Sequence, residues 1–137
     1  MENEFRIKAK VGEYVCLVHI DNFCKDLISK YTVTQLGLKV ENHPYSYNIS
    51  NGNEKFRVTK QAWVAFALGS FKDVVLCDVV PMDDCHICLG ESWKYFNKAF
   101  YDPIQDIYRI NFGKKLVLLP LRKDQVVCYI GMVKNKV

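Results

Sequence analysis

The most constraining feature of the sequence is a short apolar run, residues 15–20, that ends in a carboxylate at Asp21. Side chains of a strand alternate between its two faces, so this run places apolar groups on both faces and predicts a strand buried on both sides. A carboxylate at the end of a buried strand is costly unless it is hydrogen-bonded, paired or functional. Asp21 is therefore either the start of a turn, together with Asn22, or part of a site.

The rest of the chain repeats this pattern of short apolar runs separated by turns. Strands are expected at residues 4–9, 14–20, 47–49, 55–58, 61–68, 73–80, 107–112, 116–121 and 126–132. The Asn51-Gly52 pair is a strong hairpin signal. Short helices are expected at residues 25–35 and 92–100, and residues 41–46, which include Pro44, are expected to form a loop. The pattern predicts an all-β or β-rich single domain with one or two short helices, either a barrel or a sandwich.

Composition and charge limit the kinds of partner and the cellular compartment that we expect for this chain. Half of the 137 residues are hydrophobic, which is enough for a core. The chain has no apolar run of about 18 residues and no hydrophobic N-terminal segment, so we expect a cytoplasmic protein without a membrane partner. The net charge of +4 is scattered along the sequence, and a nucleic-acid partner is not expected.

The six cysteines mostly lie within apolar stretches and are expected to be reduced thiols. Cys85-His86-Ile87-Cys88 has the spacing of half a zinc site, but no second pair of ligands accompanies it. We therefore predict no metal and no cofactor. A thiol nucleophile, Cys24 with His19 or His86, requires a proximity that sequence does not reveal.

A specific resemblance lies in residues 79–93, which read VVPMDDCHICLGESW. This segment resembles the VVPMDxCHxLLGRPW stretch of the retropepsin-like aspartic proteases of plant Ty3/gypsy-type retrotransposon polyproteins. The likeness extends over residues 14–121, from the strand before Asp21 to the KKLVLLPL segment. Residues 1–13 are then an N-terminal lead-in, and residues 122–137 a C-terminal strand or tail.

The resemblance implies a retropepsin-like acid protease barrel with one lobe per chain, acting as a homodimer on a peptide or polyprotein. Asp21 would be the catalytic residue, since a water can be activated between two carboxylates that share one proton. The second carboxylate would be Asp21 of another subunit across a two-fold interface. The other implied site residues are Asn22 and Phe23 in the active loop, Asn51, Gly52 and Asn53 in the flap, and Leu89 and Gly90 as support behind the loop.

The active-site motif departs from that family. The family reads Asp-Ser/Thr-Gly-Ser/Ala, often followed by Cys, whereas this chain reads Asp21-Asn22-Phe23-Cys24. One residue is missing, most simply the glycine that permits close backbone approach at the two-fold axis. A misplacement of about 1 Å in a catalytic group can cost on the order of a hundredfold in rate. The expected function is an aspartic peptidase with impaired activity; the alternative is an inactive domain that dimerises or binds peptide.

Overall fold

The computed structural model describes residues 4–23, 25–127 and 133–134. Within them are the strands β1 (Phe5–Val11), β2 (Tyr14–Ile20), β3 (Leu27–Ser29), β4 (Val40–Asn51), β5 (Glu54–Leu68), β6 (Phe71–Val80), β7 (Ile87–Leu89), β8 (Ala99–Asp102), β9 (Ile107–Phe112), β10 (Lys114–Leu118) and β11 (Val133–Lys134). The helices are α1 (Lys30–Leu36), α2 (Glu91–Phe96) and α3 (Lys123–Val127). None of the helices in this part of the chain has the length and apolar character that crossing a bilayer requires.

Most strands belong to one eight-stranded sheet with the order β1-β2-β7-β3-β6-β5-β4, in which β11 pairs with β2. β1 also pairs with β5 through Lys10 and Ala67, so the sheet curls back towards its first strand. β2 and β7 run parallel, as do β3 and β6, and this places the ends of β2 and β7 side by side. A separate three-stranded sheet has the order β10-β9-β8. The β-rich fold class predicted from the alternating runs is confirmed.

Two core clusters lie on opposite faces of β2, as its apolar run predicts. The first core cluster contains Cys16, Val18 and Ile20, together with buried residues of β1, β5, β6, β7 and α2. The second core cluster consists of Leu17, Leu27, Val58, Val80, Cys85 and Cys88, against which pack Phe23, Tyr47, Ile49, Phe56, Met82, Leu121 and Val126. Because each face of β2 packs into one of the two clusters, the end of the strand next to Asp21 is held on both sides.

Two local expectations in the first half of the chain were wrong. Residues 41–46 belong to β4 rather than to a loop, and a register irregularity between Asn42 and Tyr47 accommodates Pro44, which cannot donate a ladder hydrogen bond. The helix expected at residues 25–35 begins only at Lys30, where the Ser29 side chain accepts a hydrogen bond from the Thr32 N–H. The apolar residues before it form β3 instead, because they fill the space between β6 and β7.

The hairpin predicted at Asn51-Gly52 is present, and Gly52 has a positive φ of 63° at its tip. The predicted last strand at residues 126–132 fails in its first two residues, which belong to α3. Residues 128–132 lie outside the described part of the chain. Tyr14–Ile20 and Ile107–Phe112 coincide with predicted strands.

Candidate active site

Asp21 lies immediately after β2 and is fixed by its backbone. Its N–H donates a 2.9 Å hydrogen bond to the carbonyl of Leu89 at the end of β7. Its Oδ1 accepts a 2.7 Å bond from the backbone N–H of Asn22, an arrangement that turns the chain sharply away from the strand. The Asp21 side chain is half-buried and lines a cleft of about 1140 Å³. The parallel pairing of β2 and β7 thus presents this carboxylate at the edge of the sheet.

Gly90 lets the active loop close against the start of α2. A Cβ at this position would lie 2.3 Å from the carbonyl oxygen of Phe23 and 2.5 Å from that of Lys25, both backbone atoms. The next residue, Glu91, donates its N–H to the same Phe23 oxygen at 2.7 Å. Glycine is required here because no side chain fits between the two backbone segments.

Asp26 supports the loop from inside and was missed by sequence reasoning. Its side chain is buried, and its Oδ1 accepts a 2.7 Å hydrogen bond from the Gly90 N–H. Burial raises the pKa of the Asp26 carboxyl, while hydrogen bonds from the backbone of Gly90 and Trp93 oppose that shift. Its position directly before the apolar pair Leu27-Ile28 is a local signal of burial only, and it does not indicate which distant backbone group the carboxyl binds.

Lys94 was also missed, and it contacts the active loop from α2. Its Nζ donates to the Asn22 side-chain oxygen at 2.9 Å and forms an ion pair with Glu91 at 2.6 Å. The residue is buried, and it lines the same cleft as Asp21. No spacing rule indicates this role, because a lysine in a short helix ordinarily faces water. The result is that the Asn22 amide is engaged within its own chain.

Phe23 points away from the cleft. Its ring packs against the second core cluster and is not among the cleft's lining residues in the described part of the chain. Although the loop is one residue shorter than the family motif, the Phe23 ring does not occupy the space beside Asp21. Instead, Phe23 anchors the loop to the core.

The described residues at the hairpin tip do not line the cleft that Asp21 faces. Gly52 and Asn53 are exposed, and neither is among the described residues that line the cleft. The hairpin meets the loop at Tyr47 of β4, where the Lys25 Nζ lies 4.6 Å from the centre of the Tyr47 ring. The structure thus brings Asp21, Asn22, Phe23, Leu89 and Gly90 together, while the described tip residues stay separate.

The cleft beside Asp21 carries many aromatic groups. Tyr95, Phe96 and Phe100 are 83%, 72% and 64% exposed. Phe5 and Tyr108 form its deeper part, stacked edge to face with ring centres 4.7 Å apart. An apolar surface of this kind next to a carboxylate suits a peptide or another protein surface.

A thiol nucleophile finds no support among the described cysteines. Cys16, Cys77, Cys85 and Cys88 are buried and free, and burial raises the pKa of the Cys16 thiol to about 12. The Nδ1 of His86 accepts a 2.7 Å hydrogen bond from the Leu17 N–H, so this nitrogen has a structural role. Cys24 lies outside the described residues.

Comparison with known proteins gives a similarity of fold. The crystal structure of the retroviral protease-like domain of Ddi1 from Leishmania major superposes with a TM-score of 0.66 and 10% sequence identity, covering 90% of this chain and 97% of that one. No family model and no curated protein matches the sequence. The chain therefore has a retropepsin-like fold, as its sequence led us to expect, and the comparison extends no further than the fold.

Proposed function

We propose that this chain is a retropepsin-like aspartic peptidase domain derived from a plant Ty3/gypsy-type retrotransposon, with activity impaired by the loss of the motif glycine. The observation that carries the proposal is the position of Asp21. It is a half-buried carboxylate at the end of a buried strand, its backbone is tied to Leu89, and its side chain opens into a cleft of about 1140 Å³.

The chemistry requires a second carboxylate. Two carboxylates a few ångströms apart share one proton and activate a water that attacks the peptide carbonyl. We propose that Asp21 of a second subunit supplies it, across an isologous two-fold interface. The exposed aromatic side chains beside Asp21 support this, since they offer apolar area for a subunit or a substrate to cover.

The alternative is an inactive domain that dimerises or binds peptide, and one observation favours it. In the resembled family a Ser/Thr hydroxyl links the two active loops, and Asn22 occupies that position. Its side-chain oxygen already accepts a hydrogen bond from Lys94 of the same chain. A loop held in this way is less able to form a bond to its partner.

The test is peptide hydrolysis from about pH 4 to about pH 7, at protein concentrations where sedimentation shows a dimer. The turnover shown by the parent chain should be absent from the Asp21→Asn variant. A second variant inserts one glycine between Asn22 and Phe23, and it should raise turnover at least about tenfold if loop geometry limits the rate.

The outcomes separate the two functions. Turnover that survives Asp21→Asn would refute the dyad mechanism. A dimer that binds peptide without cleaving it, with or without the added glycine, would instead establish the binding domain.

A further inference from the structure

Three different donor side chains meet at the edge of the sheet beside the cleft. His19 and Cys88 occupy paired positions of the parallel strands β2 and β7, and their side chains therefore share one face. Asp21 lies two residues beyond His19, on the same face. One ligand atom from each of the three lies within 4.8 Å of the others, and the Cys88 Sγ is 4.0 Å from the Asp21 Oδ2.

An imidazole nitrogen, a carboxylate oxygen and a thiolate sulfur are ligands that Zn²⁺ accepts together. Tetrahedral zinc, with bonds of about 2.0–2.3 Å, holds neighbouring ligand atoms roughly 3.3–3.8 Å apart. Each pair of donors needs to approach by at most about 1–1.5 Å to reach that spacing. A fourth position would face the cleft, because His19 and Asp21 both line it.

A second group competes for the same histidine, since His19 also lies within 4.8 Å of Asp84 and Cys85. We take the first group as the site because the Cys88 Sγ and the Asp21 Oδ2 are already 4.0 Å apart. Two of its three members, His19 and Asp21, also line the cleft, whereas neither Asp84 nor Cys85 is among the cleft's lining residues in the described part of the chain.

We propose that His19, Asp21 and Cys88 form a binding site for one thiophilic divalent cation, with Zn²⁺ as the expected ion. Binding breaks the S–H bond of Cys88, forms a metal–sulfur bond and releases the proton to solvent. An ion bound here would also remove Asp21 from water activation, a consequence that rests on the proposed function.

The test is titration of the reduced full chain with Co²⁺, followed by thiolate-to-cobalt charge-transfer absorption, with Zn²⁺ added as competitor. We expect one equivalent of Co²⁺ to produce the band and Zn²⁺ to remove it. Cys88→Ser should abolish the band, and His19→Gln should weaken Co²⁺ binding at least about tenfold. Asp84→Asn, which changes an exposed member of the competing group, separates the two groups and should weaken Co²⁺ binding less than His19→Gln does, because the Asp84 charge acts on Cys88 from outside the proposed site.

Absence of the band in the parent chain would overturn the proposal. So would a band that persists in Cys88→Ser, or one that Asp84→Asn weakens as much as His19→Gln does. His19 is half-exposed, so its variant tests the site even if Cys88→Ser fails to fold. Because this readout is independent of hydrolysis, a chain that binds Co²⁺ but cleaves no peptide would retain the site and lose the proposed function.

Discussion

Asp21 and Asp26 lie on the same loop, yet their environments are opposite. Asp21 is half-buried, receives a hydrogen bond from the next residue along the chain and faces the cleft. Asp26 is 8% exposed and receives hydrogen bonds from the backbone of Gly90 and Trp93 at the start of α2. The first faces the cleft, where water and a substrate can reach it, and the second is nearly enclosed and engaged by backbone N–H groups.

The contrast shows how a short loop can leave one carboxylate accessible while a second carboxylate holds the loop in place. A carboxylate that activates water must remain accessible, so it contributes little to holding the loop. The loop is held instead by the buried carboxylate and by the close approach of Gly90, which together fix it against α2. Substitutions at the supporting positions should therefore affect folding, whereas substitution of Asp21 should affect function alone.

Gly90→Ala should have the largest effect on stability. Its Cβ would lie within 2.5 Å of two backbone oxygens, so relief requires the loop or α2 to move. We expect a loss of about 4 kcal/mol or more in the free energy of unfolding, measured by urea denaturation. Gly12→Ala is the matched control, since its Cβ meets nothing within 4 Å and only its positive φ costs about 1 kcal/mol. Equal losses in the two variants would disprove the close approach.

Asp26→Ala should come next, with a loss of about 2–3 kcal/mol in the free energy of unfolding. The change leaves the buried N–H of Gly90 without its acceptor, and an unsatisfied buried donor costs about 1–3 kcal/mol. Asp83→Ala, at an exposed aspartate, is the control and should change stability by less than about 0.5 kcal/mol. A stability loss at Asp26 no larger than at Asp83 would mean that Asp26 does not support the loop.

The strands and the position of Asp21 were predictable because both follow from local pattern. Alternation located β2, and a carboxylate after a buried run identified Asp21. The roles of Asp26 and Lys94 were not predictable, because each depends on where a distant segment lies. The Gly90 N–H that Asp26 binds is 64 residues away, and the Asn22 that Lys94 binds is 72 residues away.

The same reason explains the errors in the fold. Pro44 favours a loop on local grounds, but the residues on both sides of it pair with β5, so β4 continues through it. Leu27 and Ile28 fitted a helical spacing, but the gap between β6 and β7 favoured an extended backbone. In both cases tertiary pairing overrode a local preference.

Asp26→Asn should show a smaller effect, visible as a dependence on pH. Burial raises the pKa of Asp26 in the folded state, so the folded chain holds this proton more tightly than the unfolded chain does. The parent should therefore lose stability relative to Asp26→Asn as pH rises from about 4 to about 7. Urea denaturation at both pH values measures the difference, and Asp83→Asn controls for loss of one charge. A difference that stays constant or reverses would show that ionisation of Asp26 is not penalised.

Asp21→Asn should have the smallest effect on stability. An asparagine oxygen can still accept the Asn22 N–H bond, and the side chain is not enclosed by the core. We expect the free energy of unfolding to change by less than about 0.5 kcal/mol while any peptide hydrolysis disappears. Thermal unfolding and peptide hydrolysis, measured on the same preparation, test the expectation for stability and the expectation for activity. A large loss of stability would place Asp21 among the supporting residues with Asp26, and the division of the loop into an accessible and a buried carboxylate would then fail.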